Sequence, residues 1–126
     1  MSSSELRYLI AIDELSGRLK EIKQMDLANK LHVSKVSVYN AVEKLKEKGF
    51  IEKNERKLLL TKNGEQVLEE YMVIIRFMAG HLSLHCAARE KQAYEDALNA
   101  TCAFSDATRN GIVRFIKSKM ESDRRE

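Results

Sequence analysis

The 126-residue chain has no proline and no tryptophan, five glycines, two cysteines and only 6% aromatic residues. Without proline, glycine and the Ser, Thr, Asn and Asp positions must mark the ends of helices. Two cysteines, Cys86 and Cys102, are too few for a disulfide framework, and each reads as a buried thiol in a reducing compartment. No stretch approaches the roughly 18 to 20 uninterrupted apolar residues that span a bilayer. The N-terminal MSSSELRYLI lacks the basic start, apolar run and small-residue cleavage site of a secretory signal. A cytoplasmic protein with no membrane attachment is expected. Also missing are a Gly-rich phosphate loop and any nucleophile at a recognisable spacing from a base, while the carboxylates are spread along helix faces. An enzyme is not expected.

What is present is a helix-rich, charged composition, 44% hydrophobic and 33% charged, of a size for one domain, or one small domain with an oligomerisation element. The net charge of +3 conceals an asymmetry. Gly17 to Lys62 holds 12 Lys/Arg against 6 Asp/Glu, a net of +6, and the rest holds 10 against 13, a net of −3. A local basic block suits a polyanion, although a lysine-rich solvated helix face would look the same.

The periodicity divides the chain further. Ser3 or Ser4 caps a first helix ending near Ser16-Gly17, and a second helix runs from about Gln24 to Leu31. After the turn HVS, Ser34 caps a third helix that reaches Lys48 and stops at Gly49. GFIEK and KLLLT around NER then read as two short strands of a hairpin. Thr61 opens a long helix to about Gly80, followed by helices over Leu82 to Thr101, broken near Lys91, and Asp106 to Met120. The fold class is therefore mainly α with a small β-hairpin. Residues 1–63 form a winged helix-turn-helix DNA-binding domain, 64–120 a helical dimerisation domain, and 121–126 a disordered tail.

Leu27, Leu31, Val33, Val38 and Ala41 occupy the apolar positions of a helix-turn-helix, with small Ala28 at the helix crossing. Val33 is expected to plug the turn, and His32 stands where a glycine is common. The outward face then offers Ser34, Lys35, Ser37, Tyr39, Asn40 and Lys44. Asn40 is the candidate base reader, because a carboxamide pairs bidentately with adenine. Ser34, Lys35 and Ser37 lie near the helix N-terminus, where hydroxyls, an ammonium and free amides suit phosphate. Lys53, Arg56 and Lys57 on the wing would meet the DNA backbone or minor groove. A winged helix used for protein contacts is the alternative.

One other cluster carries metal-binding side chains. HLSLHC, residues 81–86, places His81 and His85 one helical turn apart beside Cys86. With Cys102, Glu90 or Glu95 these donors would favour zinc. Partly exposed histidines and core thiols are the simpler reading, and a redox role for the two cysteines is a third.

From Gln24 to Gly64 the run DLANKLHVSKVSVYNAVEKLKEKGFIEK and then KLLLTKNG resembles the diphtheria toxin repressor and manganese regulator family. The likeness continues into YEDALNATCAFSDATRNGI, where Ser105-Asp106 matches the family's Ser-Asp after its ligand cluster. The length is similar to the short, manganese-type branch. The resemblance implies a homodimeric repressor that binds an inverted-repeat operator in double-stranded DNA, in response to a divalent metal, manganese or iron. It also places the metal ligands on Arg7, Ile10, Ile75, Leu98, Thr101 and Cys102, of which only Cys102 is a metal-binding residue. The usual metal site is expected to be missing, leaving the effector to be another metal, a small molecule, redox state or none. Apolar residues of the second half, among them Ile75, Phe77, Val113, Phe115 and Ile116, would be covered by a second copy.

Overall fold

The computed structural model describes the backbone of residues 1–125 and the side chains of residues 1–124. Its elements are α1 (Ser3–Ser16), α2 (Gln24–Leu31), α3 (Lys35–Glu47), β1 (Ile51–Asn54), β2 (Lys57–Leu60), α4 (Lys62–Cys86), α5 (Glu90–Ala103) and α6 (Asp106–Arg125). Two compact units are present, Met1–Leu68 and the residues from Glu69 onward. The division lies within α4, where the sequence reading set it at 63/64.

The first unit is a winged helix-turn-helix. Leu6, Leu9 and Ile12 of α1, Leu27 of α2, Val38, Val42 and Leu45 of α3, and Ile51 and Leu58 of the hairpin form its core. Helix α1 starts one residue earlier than expected, with Ser2 as its cap. Ser2 Oγ accepts the Glu5 N–H at 3.1 Å and the Glu5 carboxylate accepts the Ser2 N–H at 3.3 Å. This reciprocal pairing requires an acidic residue three positions after the serine, and Ser2 has one in Glu5 where Ser3 and Ser4 do not. The antiparallel hairpin pairs Ile51 with Leu60 and Asn54 with Lys57, with Glu55 in the left-handed region at φ 58°.

The same Glu5 ties α1 to the end of α3 through a 2.5 Å contact with Lys48 Nζ. Burial pushes the Glu5 carboxyl up, but the hydrogen bonds from Lys48 and Ser2 outweigh it and hold the group below its ordinary value. A carboxylate with a depressed folded pKa stabilises the native state above its unfolded pKa of about 4.3 and loses that contribution as pH falls through the lower folded value. Chemical denaturation between pH 6 and 3 should therefore show a steeper acid loss for the native chain than for Glu5→Gln. Parallel curves would mean that the pair contributes nothing.

The turn between α2 and α3 is closed by His32 at φ 55°, whose N–H and that of Val33 both donate to the Ala28 carbonyl, the latter at 3.2 Å. A left-handed residue with a Cβ is strained where glycine is not. His32→Gly should raise the unfolding free energy by about 0.5–1 kcal/mol, measured by the same denaturation. A loss of stability would show that the imidazole contributes packing that outweighs the backbone strain.

In the second unit, Ile74 of α4 packs with Val113 and Ile116 of α6, and Val73, Phe77, Met78 and Ile112 surround them. Helix α5 buries Ala93, Ala97, Leu98 and Thr101. The Ser105-Asp106 pair has a structural role: Ser105 Oγ accepts the Thr108 N–H at 3.2 Å, capping α6. Asp106 accepts from Arg109, whose guanidinium also donates to the Phe104 carbonyl and lies 4.8 Å from the Tyr71 ring centroid. Arg109 thus satisfies a carbonyl at the end of α5 that lacks a helical partner.

Two helix ends differ from expectation. Helix α4 runs through Gly80 to Cys86, because a lone glycine costs a helix only about 1 kcal/mol and nothing else interrupts the turn. The break comes at Ala87, in the left-handed region at φ 56°, with the Ala88 N–H donating to Leu82 at 3.1 Å. HLSLHC is therefore the end of α4 and not the start of the next helix. Helix α6 continues to Arg125, through most of the segment expected to be a disordered tail; Glu126 lies outside the described residues.

Candidate nucleic-acid interface

Helix α3 presents the candidate DNA-reading face. Ser34 caps it, its Oγ accepting the Ser37 N–H at 3.1 Å and lying 3.0 Å from the Ser37 hydroxyl. Val38, Val42 and Leu45 form the buried stripe, at spacings of four and three residues. Ala41 is on the flank of this stripe, about 60° from Val38 on a 3.6-residue helix, and is half-buried. Val33 does not plug the turn. It precedes α3, so the helical period does not govern it, and it is 37% exposed.

The stripe turns the opposite face to solvent. Lys35, Ser37, Tyr39, Asn40 and Lys44 are all exposed, as is Ser34. Val36 lies one turn before Asn40 on that face and is 69% exposed, more than any other apolar residue of α3. The sequence reading passed over it, although a β-branched apolar side chain about 160° from Val38 is a legible signal.

The wing supplies cations. Lys53 and Arg56 are exposed, and with Lys23 and Gln24 they line one concavity of about 210 Å³. Lys23 caps α2 and Gln24 is its first residue, and neither was among the expected DNA contacts. The hairpin's fold brings them beside the wing, and no local pattern announces it. Lys57 is less available than its neighbours, because its Nζ pairs with Glu21 at 3.0 Å. The unit thus carries a polar α3 face with donors and acceptors, a helix N-terminus, and a group of cations at the wing.

The comparisons with known proteins bear on this arrangement. Residues 1–59 match the family model described as iron dependent repressor, N-terminal DNA binding domain. The first 59 residues are thus similar to the DNA-binding head of the iron-dependent repressors. The chain's structural relatives extend the likeness into the helical remainder. The manganese regulator SloR is 26% identical with a TM-score of 0.73, over 90% of this chain and 53% of its own. The metal-dependent transcriptional regulator MtsR is 21% identical with a TM-score of 0.76, over 93% and 55%. A hypothetical protein of Sulfolobus solfataricus is 21% identical with a TM-score of 0.73, over 92% and 89%. This chain therefore spans about half the length of the two regulators and most of the Sulfolobus protein. A search of curated proteins gave no match.

The donor set at the positions that the resemblance gives to metal ligands does not fit the iron-dependent repressor family's manganese or iron. Ile75 and Leu98 are 0% and 1% exposed, and offer no lone pair. Thr101 is fully buried, and its hydroxyl donates to the Ala97 carbonyl at 2.7 Å. Arg7 and Ile10 are half-buried on α1, and Arg7 is itself cationic. Of the other metal candidates, His81 and His85 stack at 5.3 Å between ring centroids, and Phe77 lies 4.5 Å from His81. Cys86 is exposed, contrary to the expected buried thiol, and Cys102 is half-buried; neither forms a disulfide. Among the described residues no three His, Cys, Asp or Glu side chains converge on a point that could hold a metal ion. No described helix is long and apolar enough to cross a membrane.

Proposed function

We propose that this chain is a sequence-specific, double-stranded-DNA-binding transcriptional regulator, a homodimeric repressor acting in the cytoplasm. One observation carries the reading: the repressor-like head leaves the face of α3 with Val36 and Asn40 exposed, next to a wing bearing Lys53 and Arg56. Asn40 reads adenine by a bidentate contact, Val36 packs against a thymine methyl, and Ser34, Ser37 and Lys35 fix the phosphates. Lys23, Lys53 and Arg56 extend the phosphate track, with a smaller contribution from Lys57. Tyr39 and Lys44 border the same face.

The second unit supports pairing with another copy. Val113 and Ile116 pack with Ile74 in its own core, and Ile75 is fully buried within the single chain, contrary to the expectation that a partner covers them. What remains outside is Phe115 at 60% exposure, Leu84 at 77% and Met120 at 53%, with a groove of about 470 Å³ floored by Val73, Phe77 and Ile116. Glu69 and Asp123 line that groove together with Arg76 and Lys119, so a second copy approaching by a two-fold meets both signs of charge on a surface that suits itself. Two copies then present two recognition helices to an inverted repeat.

The test is sedimentation and duplex binding on the same protein. A dimer at micromolar concentration is expected, with Phe115→Glu weakening it by about 30-fold or more, the effect of losing one central anchor. Duplex affinity should fall steeply with salt, since phosphate-bound cations release counterions. A monomer, or a chain whose binding to duplex ignores salt, would favour a winged helix that serves protein contacts.

A further inference from the structure

We infer that this regulator does not take manganese or iron where its relatives hold their metal, and that its DNA affinity is set without either ion; the second part rests on the DNA-binding reading above. The positions at issue do more than lack ligands. Ile75 on α4 and Leu98 on α5 are among the largest fully buried side chains of the protein. Thr101 is equally buried and has already committed its hydroxyl proton to the α5 backbone. A hard divalent cation needs several oxygen or nitrogen donors and a net negative first shell to replace its hydration. Isoleucine and leucine supply none of these, and a dry apolar surround penalises the ion further. At the first-helix position, where the resemblance implies a metal-binding side chain, the Arg7 guanidinium has no lone pair to offer a cation.

Ile75, Leu98 and Thr101 are packed without any ligand contributing to their burial. In a metal-dependent relative the corresponding order would have to come from ligand binding, a free-energy difference that vanishes when the ion is removed. Here no such difference exists for manganese or iron to supply. The other donors do not substitute for the missing set, because among the described residues His81, His85 and Cys86 do not converge, with one another or with a carboxylate, into a site of three donors.

The experiment has three readouts on tag-free, full-length protein. Equilibrium dialysis against Mn(II), and against Fe(II) under anaerobic conditions, measures occupancy directly. The thermal midpoint in EDTA and in each ion reports any binding that favours the native state, since a ligand at one hundred times its Kd shifts the midpoint by several degrees. Duplexes selected from a random pool in EDTA are then titrated in EDTA, Mn(II) and Fe(II). Substoichiometric occupancy at micromolar free ion, midpoints within about 1 °C and duplex Kd values within about threefold are expected. Occupancy near one ion per chain, or a tenfold tightening of the duplex by either ion, overturns the inference. Should no duplex bind under any condition, the DNA-binding reading falls, while dialysis and thermal midpoints still decide whether the metal position is closed.

Discussion

Gly64→Ala should destabilise the protein by about 3 kcal/mol or more and lower its thermal midpoint by about 10 °C. A Cβ built on Gly64 lies 2.1 Å from the Phe50 carbonyl oxygen, 3.0 Å from its carbon and 3.2 Å from its Cα. All three are backbone atoms, so no rotamer change relieves the clash. Phe50 is also pinned from both sides. Its N–H donates to Leu45 at 3.0 Å and its carbonyl accepts the Thr61 N–H at 3.0 Å, while Thr61 Oγ1 donates to the adjacent Gly49 carbonyl at 2.5 Å. The same Thr61 hydroxyl accepts the Gly64 N–H at 2.9 Å, so moving the start of α4 away breaks its cap as well. Gly80→Ala is the matched control. It lies inside the same helix with nothing within 4 Å of its Cβ position, and there alanine should stabilise by about 1 kcal/mol. Equal effects at the two sites, read by thermal and urea unfolding, would refute the close approach of α4 to Phe50.

The second large effect concerns DNA. Asn40→Ala should lower the ratio of specific to nonspecific duplex affinity by about 5- to 150-fold, the value of one bidentate base contact at about 1–3 kcal/mol, while leaving nonspecific binding nearly unchanged. Arg56→Ala should do the reverse. It weakens every duplex alike and reduces the slope of log affinity against log salt by about one. Lys57→Ala should do less than Arg56→Ala, because Glu21 already holds the Lys57 ammonium at 3.0 Å and DNA must compete for it. Competition titrations at two salt concentrations separate these outcomes. If Asn40→Ala weakens specific and nonspecific duplexes equally, the face carrying Val36 and Asn40 does not read bases.

Much of this arrangement was legible along the chain, for definite reasons. Helix α2 and the start and stop of α3 follow from side chains that act on their own backbone: Ser34 caps and Gly49 terminates at φ 80°. The hairpin follows from a change of period around a polar turn. What failed were readings that depended on neighbours far away in sequence. Val33 was assigned inward by analogy with a turn plug, but the buried stripe of α3 begins at Val38 and continues through Val42 and Leu45. Ile75 was expected to be covered by a second copy because its partners within the chain could not be known, and it is fully buried in the single chain. Gly80 read as a stop because glycine often is one, yet with no left-handed residue or cap at that point the helix continues to Cys86. Lys23 and Gln24 were not among the expected DNA contacts because only the folded hairpin brings them beside Lys53 and Arg56.

The sequence by itself determined the local grammar: where helices start, the period-two hairpin, the basic segment from Gly17 to Lys62, and the apolar identity of Ile75 and Leu98 where the family resemblance implies metal-binding side chains. These are fixed by short-range hydrogen bonding, side-chain periodicity and chemical identity, which any one stretch of chain carries. Tertiary structure alone decided that Gly64 must be glycine, since the obstacle is the backbone of Phe50. It also decided that Glu21 pairs with the wing cation Lys57, and that Ile75, Leu98 and Thr101 are sealed from solvent. Exposure and steric contact are properties of surfaces formed by distant segments together, and no single segment contains them.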